Sequence, residues 1–270
     1  MVYLFIVGAV VAVVALYAYL IAPARMPRGT DELWAAHYAH RGLYSKDQSV
    51  PENSLAAFAA AAEAGYGMEL DITITADGEV VVFHDDMLTR ACGVEKDIRD
   101  CTLNELRGCR LFGTSEGIPL FSEVLELVDG RVPLIVELKT TRRYRELCVE
   151  AAALLDVYAG PYCVESFDPR IVRWFYRHRP GVVRGQLACG IRSYENTPFH
   201  QRFLMSSFLT NAMCRPHFAA YQHQDSYRKL GLRAFKLMDG KLVAWTVQNY
   251  DDAQYVRKMF DVIIFEFFRP

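Results

Sequence analysis

Residues 67–75 alternate between hydrophobic and polar side chains with a period of two, which is the pattern of a β-strand. One face carries Met68, Leu70, Ile72 and Ile74, and the other face carries Glu69, Asp71, Thr73 and Thr75. Side chains two positions apart on a strand start about 6.5–7 Å from each other, so Glu69 and Asp71 can converge on one cation. The alternative for an isolated pair of acids is a half-exposed edge strand with solvated carboxylates, and the flanking residues decide between the two.

Strand-like and helix-like segments alternate along most of the remaining chain. After a short first strand that ends before His40, we predict strands at 80–83, 133–139, 162–167, 182–188, 218–221, 242–247 and 262–265. We predict helices at 55–64, 103–107, 122–128, 144–155, 169–178 and 251–260, with a further candidate helix at 203–213 inside the ambiguous segment 190–215. About eight strands alternating with helices predict an α/β fold, the (β/α)8 TIM barrel.

The first residues form a separate apolar segment. Residues 2–22 contain no charged side chain, and as a helix they can cross about 30 Å of hydrocarbon. We therefore predict a transmembrane anchor at 1–24, a linker at 25–35 and a single barrel domain at 36–270. The alternative is a signal peptide cleaved near Ala22-Pro23-Ala24, but no Lys or Arg precedes the apolar run, which is also longer than an ordinary signal core.

Charge and cysteine content limit the partners and the compartment. A formal net charge of -2 gives no reason to expect nucleic acid as a partner. The seven cysteines include no C-x-x-C pair, so neither a zinc site nor a disulfide framework is indicated. Arg25 and Arg28 follow the apolar segment, and together with these cysteines they favour a single-pass protein of the cell membrane with a cytoplasmic barrel.

In a TIM barrel, polar residues at the carboxyl ends of the strands form the site. The residues predicted to lie there are His40, Arg41, Glu69, Asp71, Glu137 and Lys139, with His84 folded over the same opening. Glu69, Asp71 and Glu137 offer only oxygen ligands, which favours one Ca²⁺ or Mg²⁺ over zinc. The alternative for Glu137 is an ion pair with Lys139 or Arg41.

His40 and His84 are candidates for acid and base, because imidazole titrates near neutral pH and each follows an apolar strand-like run. The other histidines lack this setting and are interpreted as structural or surface residues: His37, His178, His200, His217 and His223. Arg41 and Lys139 would place positive charge beside the cation, which suits a phosphate diester. Without a Walker-type loop or a G-x-S-x-G elbow, neither nucleotide phosphoryl transfer nor a serine esterase is indicated.

An ordered series of motifs resembles the glycerophosphodiester phosphodiesterase family. The series is His40-Arg41-Gly42, Pro51-Glu52-Asn53-Ser54, Glu69-Leu70-Asp71, Asp77-Gly78 with Val82-Phe83-His84-Asp85, Glu137-Leu138-Lys139, Ser166-Phe167-Asp168-Pro169 and Ala244-Trp245-Thr246-Val247. It covers nearly the whole chain after the linker. The resemblance implies a TIM barrel that hydrolyses glycerophosphodiesters to glycerol 3-phosphate and an alcohol.

The resemblance also implies a role for each matching residue. Residues that match Glu69, Asp71 and Glu137 hold the metal, and those that match His40 and His84 serve as acid and base. Those that match Arg41 and Lys139 contact the phosphate, Glu52 is expected to orient the site, and Phe167 and Trp245 are expected to line the pocket. The chain departs from the family after its last strand, where members usually carry a Thr-Asp pair and this chain has Glu266 as the candidate acid.

Three alternatives stay open at this point. Lysophospholipid-type diesters are within reach of a membrane-anchored barrel, so a lysophospholipase D or a phospholipase C on the same barrel is a rival enzyme. A membrane-tethered barrel that binds a phosphodiester without turnover is a rival of another class. The attacking group is either water or the neighbouring hydroxyl of the substrate glycerol.

Overall fold

Eight parallel strands close into a barrel in the computed structural model, which describes residues 1–194, 197–226 and 230–270. The strands are β1 (Tyr38–Ala39), β2 (Gly67–Ile74), β3 (Val80–Val82), β4 (Leu134–Leu138), β5 (Tyr162–Ser166), β6 (Val183–Ala188), β7 (Phe218–Gln222), β8 (Lys241–Val247) and β9 (Val262–Phe265). β1 pairs with both β2 and β9, which closes the barrel, whereas β3 pairs antiparallel with β2 outside the circle. The predicted TIM barrel is confirmed.

Helices follow most strands and cover the outside of the barrel. They are α1 (Val2–Ile21), α2 (Asp31–Ala35), α3 (Leu55–Glu63), α4 (Thr89–Cys92), α5 (Leu103–Leu106), α6 (Phe121–Val128), α7 (Tyr144–Asp156), α8 (Pro169–His178), α9 (Phe199–Ser206), α10 (Asn211–Cys214), α11 (Leu230–Leu237) and α12 (Tyr250–Val256). The prediction of one helix at 203–213 was wrong, because α9 and α10 are separate helices there. The last helix was predicted at 251–260, but it begins one residue earlier, after the cap Asn249, and ends at Val256.

The side chains inside the barrel are apolar along most of its axis and acidic at the carboxyl end of the strands. Strand β4 is buried on both faces, and its alternate residues Leu134, Val136 and Leu138 belong to the core shared with the helices. Ile135 lies on the other face, in an apolar cluster inside the barrel. Glu137 has the same parity as Ile135 but lies nearer the carboxyl end, so the apolar floor gives way to acidic side chains at the opening.

Among the described residues, α1 contacts the domain through its last turns. It is 20 residues long with a mean hydropathy of 2.7, which makes it a candidate membrane span, and most of it is exposed. Ile21 is fully buried in the main core, and the side-chain amide of Asn211 donates to the Ile21 carbonyl at 3.2 Å. The Tyr17 hydroxyl donates to the Ser207 carbonyl at 3.1 Å. The end of α1 is therefore fixed against α9 and α10.

Candidate active site

Three buried carboxylates meet at the carboxyl end of the barrel. β2 supplies Glu69 and Asp71, because residues two apart on a strand share a face, and β4 supplies Glu137 directly opposite Asp71. One ligand atom of each lies within 4.8 Å of the others. The three residues are 3%, 1% and 8% exposed, respectively. The fold thus brings together the three acids that sequence reasoning assigned to the metal.

Two cations lie against these acids. Lys139 Nζ is 3.2 Å from Asp71 Oδ1 and 2.9 Å from Glu137 Oε1, so the ion pair considered as an alternative for Glu137 is present. Arg41 Nε is 3.4 Å from Asp71 Oδ2, and the Arg41 backbone N–H donates to Glu69 at 3.2 Å. The cluster therefore contains three acidic and two basic side chains in direct contact.

The cluster fits a hard divalent cation. Burial raises the pKa of Glu69 well above its usual range, and the negative charges of Asp71 and Glu137 add to this effect. Burial also raises the pKa of Glu137, although Lys139 opposes it. Against the effect of burial, Lys139 holds the pKa of Asp71 well below its usual range. Crowded, buried oxygen ligands of this kind are stabilised by Ca²⁺ or Mg²⁺.

His40 lies at the end of β1 with both ring nitrogens directed at acids. Its Nδ1 is 2.7 Å from Glu266 Oε2, and its Nε2 is 3.9 Å from Glu69 Oε2. An ionised carboxylate only accepts hydrogen bonds, so we assign the proton to Nδ1, which leaves the Nε2 lone pair facing the carboxylate cluster. Burial, and then the charge of Arg41, lower the pKa of His40 and favour the neutral ring.

Glu266 is the partner that fixes His40. Besides His40, its carboxylate accepts from the Tyr44 hydroxyl at 2.6 Å and from the Gln248 amide at 2.5 Å. Although burial acts in the opposite direction, these partners lower the pKa of Glu266 to about 2, so the carboxylate is ionised at neutral pH. The acid that follows the last strand therefore touches a candidate catalytic group.

A series of ion pairs, called the relay below, links His84 to Arg41 through Asp85, Arg90 and Glu52. Its Nδ1 is 2.6 Å from Asp85 Oδ1, and Asp85 Oδ2 is 2.6 Å from Arg90 Nε. Arg90 also reaches Glu52 at 2.7 Å, and Glu52 pairs with Arg41 at 2.6 Å. The relay joins His84 to the guanidinium beside Asp71. Sequence reasoning missed Arg90, which lies on the short helix α4, where no periodic pattern of the sequence indicates an inward direction.

Glu165 is a fourth acid that sequence reasoning did not single out. It lies on β5 opposite Glu137 in the parallel register and is 2% exposed. Its Oε2 is buried without a hydrogen-bond partner among the described residues. Burial, and then Glu137 and Asp71, raise the pKa of Glu165 well above its usual range. An inward-facing parity on the predicted strand 162–167 was the signal that could have identified it.

Two aromatic side chains form one wall of the opening. Phe167 follows β5, and its ring centroid is 5.7 Å from that of Trp245 on β8, with the planes nearly perpendicular at 89°. Phe167 also lies edge-on to Tyr194, with ring centroids 6.4 Å apart. The structure therefore places both expected pocket residues together, on the side of the barrel opposite the strands that carry His40 and Asp71.

The chain resembles phosphodiesterases of known sequence over part of its length. It is 40% identical to a glycerophosphodiester phosphodiesterase of Caldanaerobacter subterraneus over 38% of this chain and 44% of that one. It is 37% identical to a human lysophospholipase D over 42% of this chain and 38% of that one. The chain thus aligns with less than half the length of these curated relatives.

Solved structures resemble the whole barrel. A phosphodiesterase of Oleispira antarctica, in complex with the product sn-glycerol-3-phosphate, matches with a TM-score of 0.71 and 22% identity, covering 85% of this chain and 92% of that one. A glycerophosphodiester phosphodiesterase of Thermotoga maritima matches with a TM-score of 0.64 and 26% identity, covering 85% and 93%. The family model of the glycerophosphoryl diester phosphodiesterases matches residues 40–266. The chain therefore belongs to the glycerophosphoryl diester phosphodiesterase family.

Proposed function

We propose that this chain hydrolyses glycerophosphodiesters to glycerol 3-phosphate and an alcohol, using His40 and His84 as base and acid. The observation that carries the proposal is the pairing of each imidazole with its own carboxylate at Nδ1. Glycerol 3-phosphate is the product bound by the Oleispira relative. The same opening provides positive charge for the phosphate through Arg41 and Lys139.

Glu69, Asp71 and Glu137 would hold one divalent cation, Ca²⁺ or Mg²⁺. Such an ion polarises the phosphodiester and offsets the negative charge that grows on its oxygens. Lys139 and Arg41, which contact these acids, would direct N–H groups to the phosphate oxygens. Glu52 keeps the Arg41 guanidinium oriented, and Phe167 and Trp245 exclude water from one side of the substrate.

The two imidazoles are arranged for opposite proton transfers. His40 carries its proton on the Glu266 side, so its Nε2 can accept a proton from the attacking hydroxyl, whether that of water or of the substrate glycerol. His84 is 35% exposed, and the contact of its Nδ1 with Asp85 fixes the orientation of the ring, which suits proton donation from the other ring nitrogen to the leaving alkoxide. We therefore assign His40 as the base and His84 as the acid.

The test compares two substrates that differ in leaving group. With glycerophosphocholine, His40→Ala and His84→Ala should each lose about 10²–10⁴-fold in kcat. With the p-nitrophenyl diester of glycerol 3-phosphate, whose leaving group needs no proton, His84→Ala should recover most of its activity and His40→Ala should not. His200→Ala, at an exposed histidine of α9, is the matched control. Full activity of either variant on glycerophosphocholine would refute the assignment, and release of glycerol and phosphocholine in place of glycerol 3-phosphate would favour the phospholipase C alternative.

We also propose that α1 is a retained membrane anchor and that the barrel lies in the cytoplasm. Ile21 is part of the folded core, which supports retention because a cleaved segment cannot supply core packing. Arg25 and Arg28 support the orientation. In membrane vesicles with a known inside, protease should reach a carboxyl-terminal tag only from the cytoplasmic side. Digestion from the outer side of intact cells would contradict this orientation.

A further inference from the structure

A groove of about 650 Å³ opens beside the carboxylate cluster, between the β5–α8 connection and the helices α9 and α10. Its size is typical of sites for small organic ligands. Half of the side chains that shape it are apolar or aromatic: Phe167, Pro169, Tyr194, Leu204, Met205 and Met213. Its two charged side chains, Asp168 and Arg170, pair with each other at 2.6 Å, so the groove offers apolar surface to a hydrocarbon chain without an unpaired charge.

One end of the groove lies at the barrel opening. Phe167 lines the groove and also packs on Trp245 above the site. Thr140 lines it as well and directly follows Lys139, whose Nζ contacts Asp71 and Glu137. A ligand with its phosphate at the carboxylate cluster could therefore extend an attached chain directly into the groove.

The wall of the groove that α10 forms is also tied to the candidate membrane span. Thr210 and Met213 line the groove, and Asn211, between them in sequence, donates to the carbonyl of Ile21 at the end of α1. Arg215 donates to the carbonyl of Tyr19 at 2.7 Å. The groove therefore shares α10 with the segment that holds the end of the apolar helix.

Helix α9, which forms one wall of the groove, also carries apolar side chains on its outer surface. Phe199 and Phe203, one turn apart, are 67% and 48% exposed, and Leu204 is 41% exposed. Exposed aromatic residues on a helix beside a membrane span are typical of a surface that enters the lipid interface. Arg170 of α8 lines both this groove and a neighbouring basic surface, which adds attraction to anionic head groups.

We propose that this groove binds the acyl chain of a lysophospholipid, which enters from the bilayer between α9 and α10 while its phosphodiester lies at the carboxylate cluster. The inference rests on the proposed function and names a substrate class for the same site. In the reaction, water adds to phosphorus through a new P–O bond, and the P–O bond to the head-group alcohol breaks. One proton passes from the water to the departing alkoxide, and the products are a monoacylglycerol phosphate and the free alcohol.

The test uses the full chain in detergent and two soluble substrates with one head group, glycerophosphocholine and its octanoyl ester below the critical micelle concentration. We expect kcat/KM to be at least about tenfold higher for the octanoyl ester. Leu204→Asp and the groove-filling Gln201→Trp should each remove that advantage without changing the kinetics on glycerophosphocholine. Leu237→Asp, at a leucine of α11 that is 86% exposed and outside the groove, should change neither.

The outcomes separate the two proposals. If wild type hydrolyses neither substrate, the proposed function is refuted. If it hydrolyses glycerophosphocholine without preferring the ester, or if the groove variants affect both substrates equally, the acyl site is refuted and the proposed function stands. Unchanged activity on glycerophosphocholine also shows that each variant is folded.

A separate measurement tests whether the lysophospholipid enters the groove from the bilayer across α9. With a palmitoyl ester embedded in nanodiscs, the double variant Phe199→Ser and Phe203→Ser should lower kcat/KM about tenfold, while hydrolysis of the soluble octanoyl ester stays unchanged. An equal rate on the embedded substrate would refute entry across α9.

Discussion

At the scale of single residues, the backbone after β1 tolerates only glycine at position 42. Gly42 has a φ of +81°, and an added Cβ would lie 2.8 Å from the backbone carbon of Ala57 in α3. The neighbouring Arg41 also has a positive φ, of 54°, and its backbone N–H bonds to Glu69. The tight turn thus places both an active-site side chain and a helix against the barrel.

We predict that Gly42→Ala destabilises the domain more than Gly65→Ala does. Gly65 also has a positive φ, of +72°, but an added Cβ there would meet no described atom within 4 Å. Gly65→Ala should therefore cost about 1 kcal/mol, from backbone strain alone, and Gly42→Ala at least about 2 kcal/mol, from strain and overlap. Urea unfolding followed by tryptophan fluorescence measures both, and equal losses would contradict the steric argument.

A second effect at this scale concerns the buried acid Glu165. Its pKa is raised, so the folded state binds its proton more tightly than the unfolded state does. The contribution of Glu165 to the free energy of unfolding is therefore most favourable below its usual pKa of 4.5. This contribution is lost as the pH rises through the pKa that Glu165 has in the folded state. The raised pKa of Glu69 changes the free energy of unfolding with pH in the same direction.

We predict that metal-free Glu165→Gln becomes more stable than wild type as pH rises, because glutamine never has to ionise in the barrel. The difference should be small near about pH 5 and larger near about pH 8. Urea unfolding in the presence of chelator measures it, with Glu126→Gln on the exposed face of α6 as the control. A difference that stays constant with pH would show that Glu165 does not titrate differently in the two states.

At the scale of elements, α1 is divided between two environments. Its first fifteen or so residues are exposed and suited to lipid, whereas its last turn is part of the protein core. Asn211 and Arg215 satisfy carbonyls at the end of α1 that no further helical turn can satisfy. Helix α1 and the β6–β7 connection are therefore expected to fold as one unit.

We predict that Ile21→Ala lowers the free energy of unfolding of the barrel by about 2–5 kcal/mol, as expected for a fully buried isoleucine. Leu16→Ala, at a residue 58% exposed on the same helix, should leave barrel unfolding in detergent unchanged. Denaturant unfolding in micelles compares them. Equal effects of the two substitutions would show that the end of α1 does not pack into the domain.

At the scale of the whole molecule, closure of the barrel brings acids from neighbouring strands into one buried cluster. Glu69, Asp71 and Glu137 come from β2 and β4, and Lys139 and Arg41 lie beside them. In the unfolded chain these acids are far apart and solvated. A divalent cation should therefore bind the folded state in strong preference to the unfolded one.

We predict that Ca²⁺ or Mg²⁺ raises the thermal unfolding temperature, by an amount equivalent to about 2.7 kcal/mol at a hundred times Kd. Glu137→Gln should abolish most of this increase, because it removes one ligand, whereas Glu150→Gln at an exposed site of α7 should retain it. Thermal unfolding with chelator and with each ion measures the effect. An unchanged increase in Glu137→Gln would exclude this carboxylate as a ligand.

The sequence by itself determined the barrel, the apolar first helix and the acids of β2 and β4. These features follow from local periodicity, because burial on a strand repeats every two residues and on a helix every 3.6. The relay through Arg90, the contact between His40 and Glu266, the orphan carboxylate of Glu165 and the groove beside α10 were decided only by the tertiary structure. Each depends on where side chains from distant segments end once the barrel has closed, and no local pattern encodes that distance.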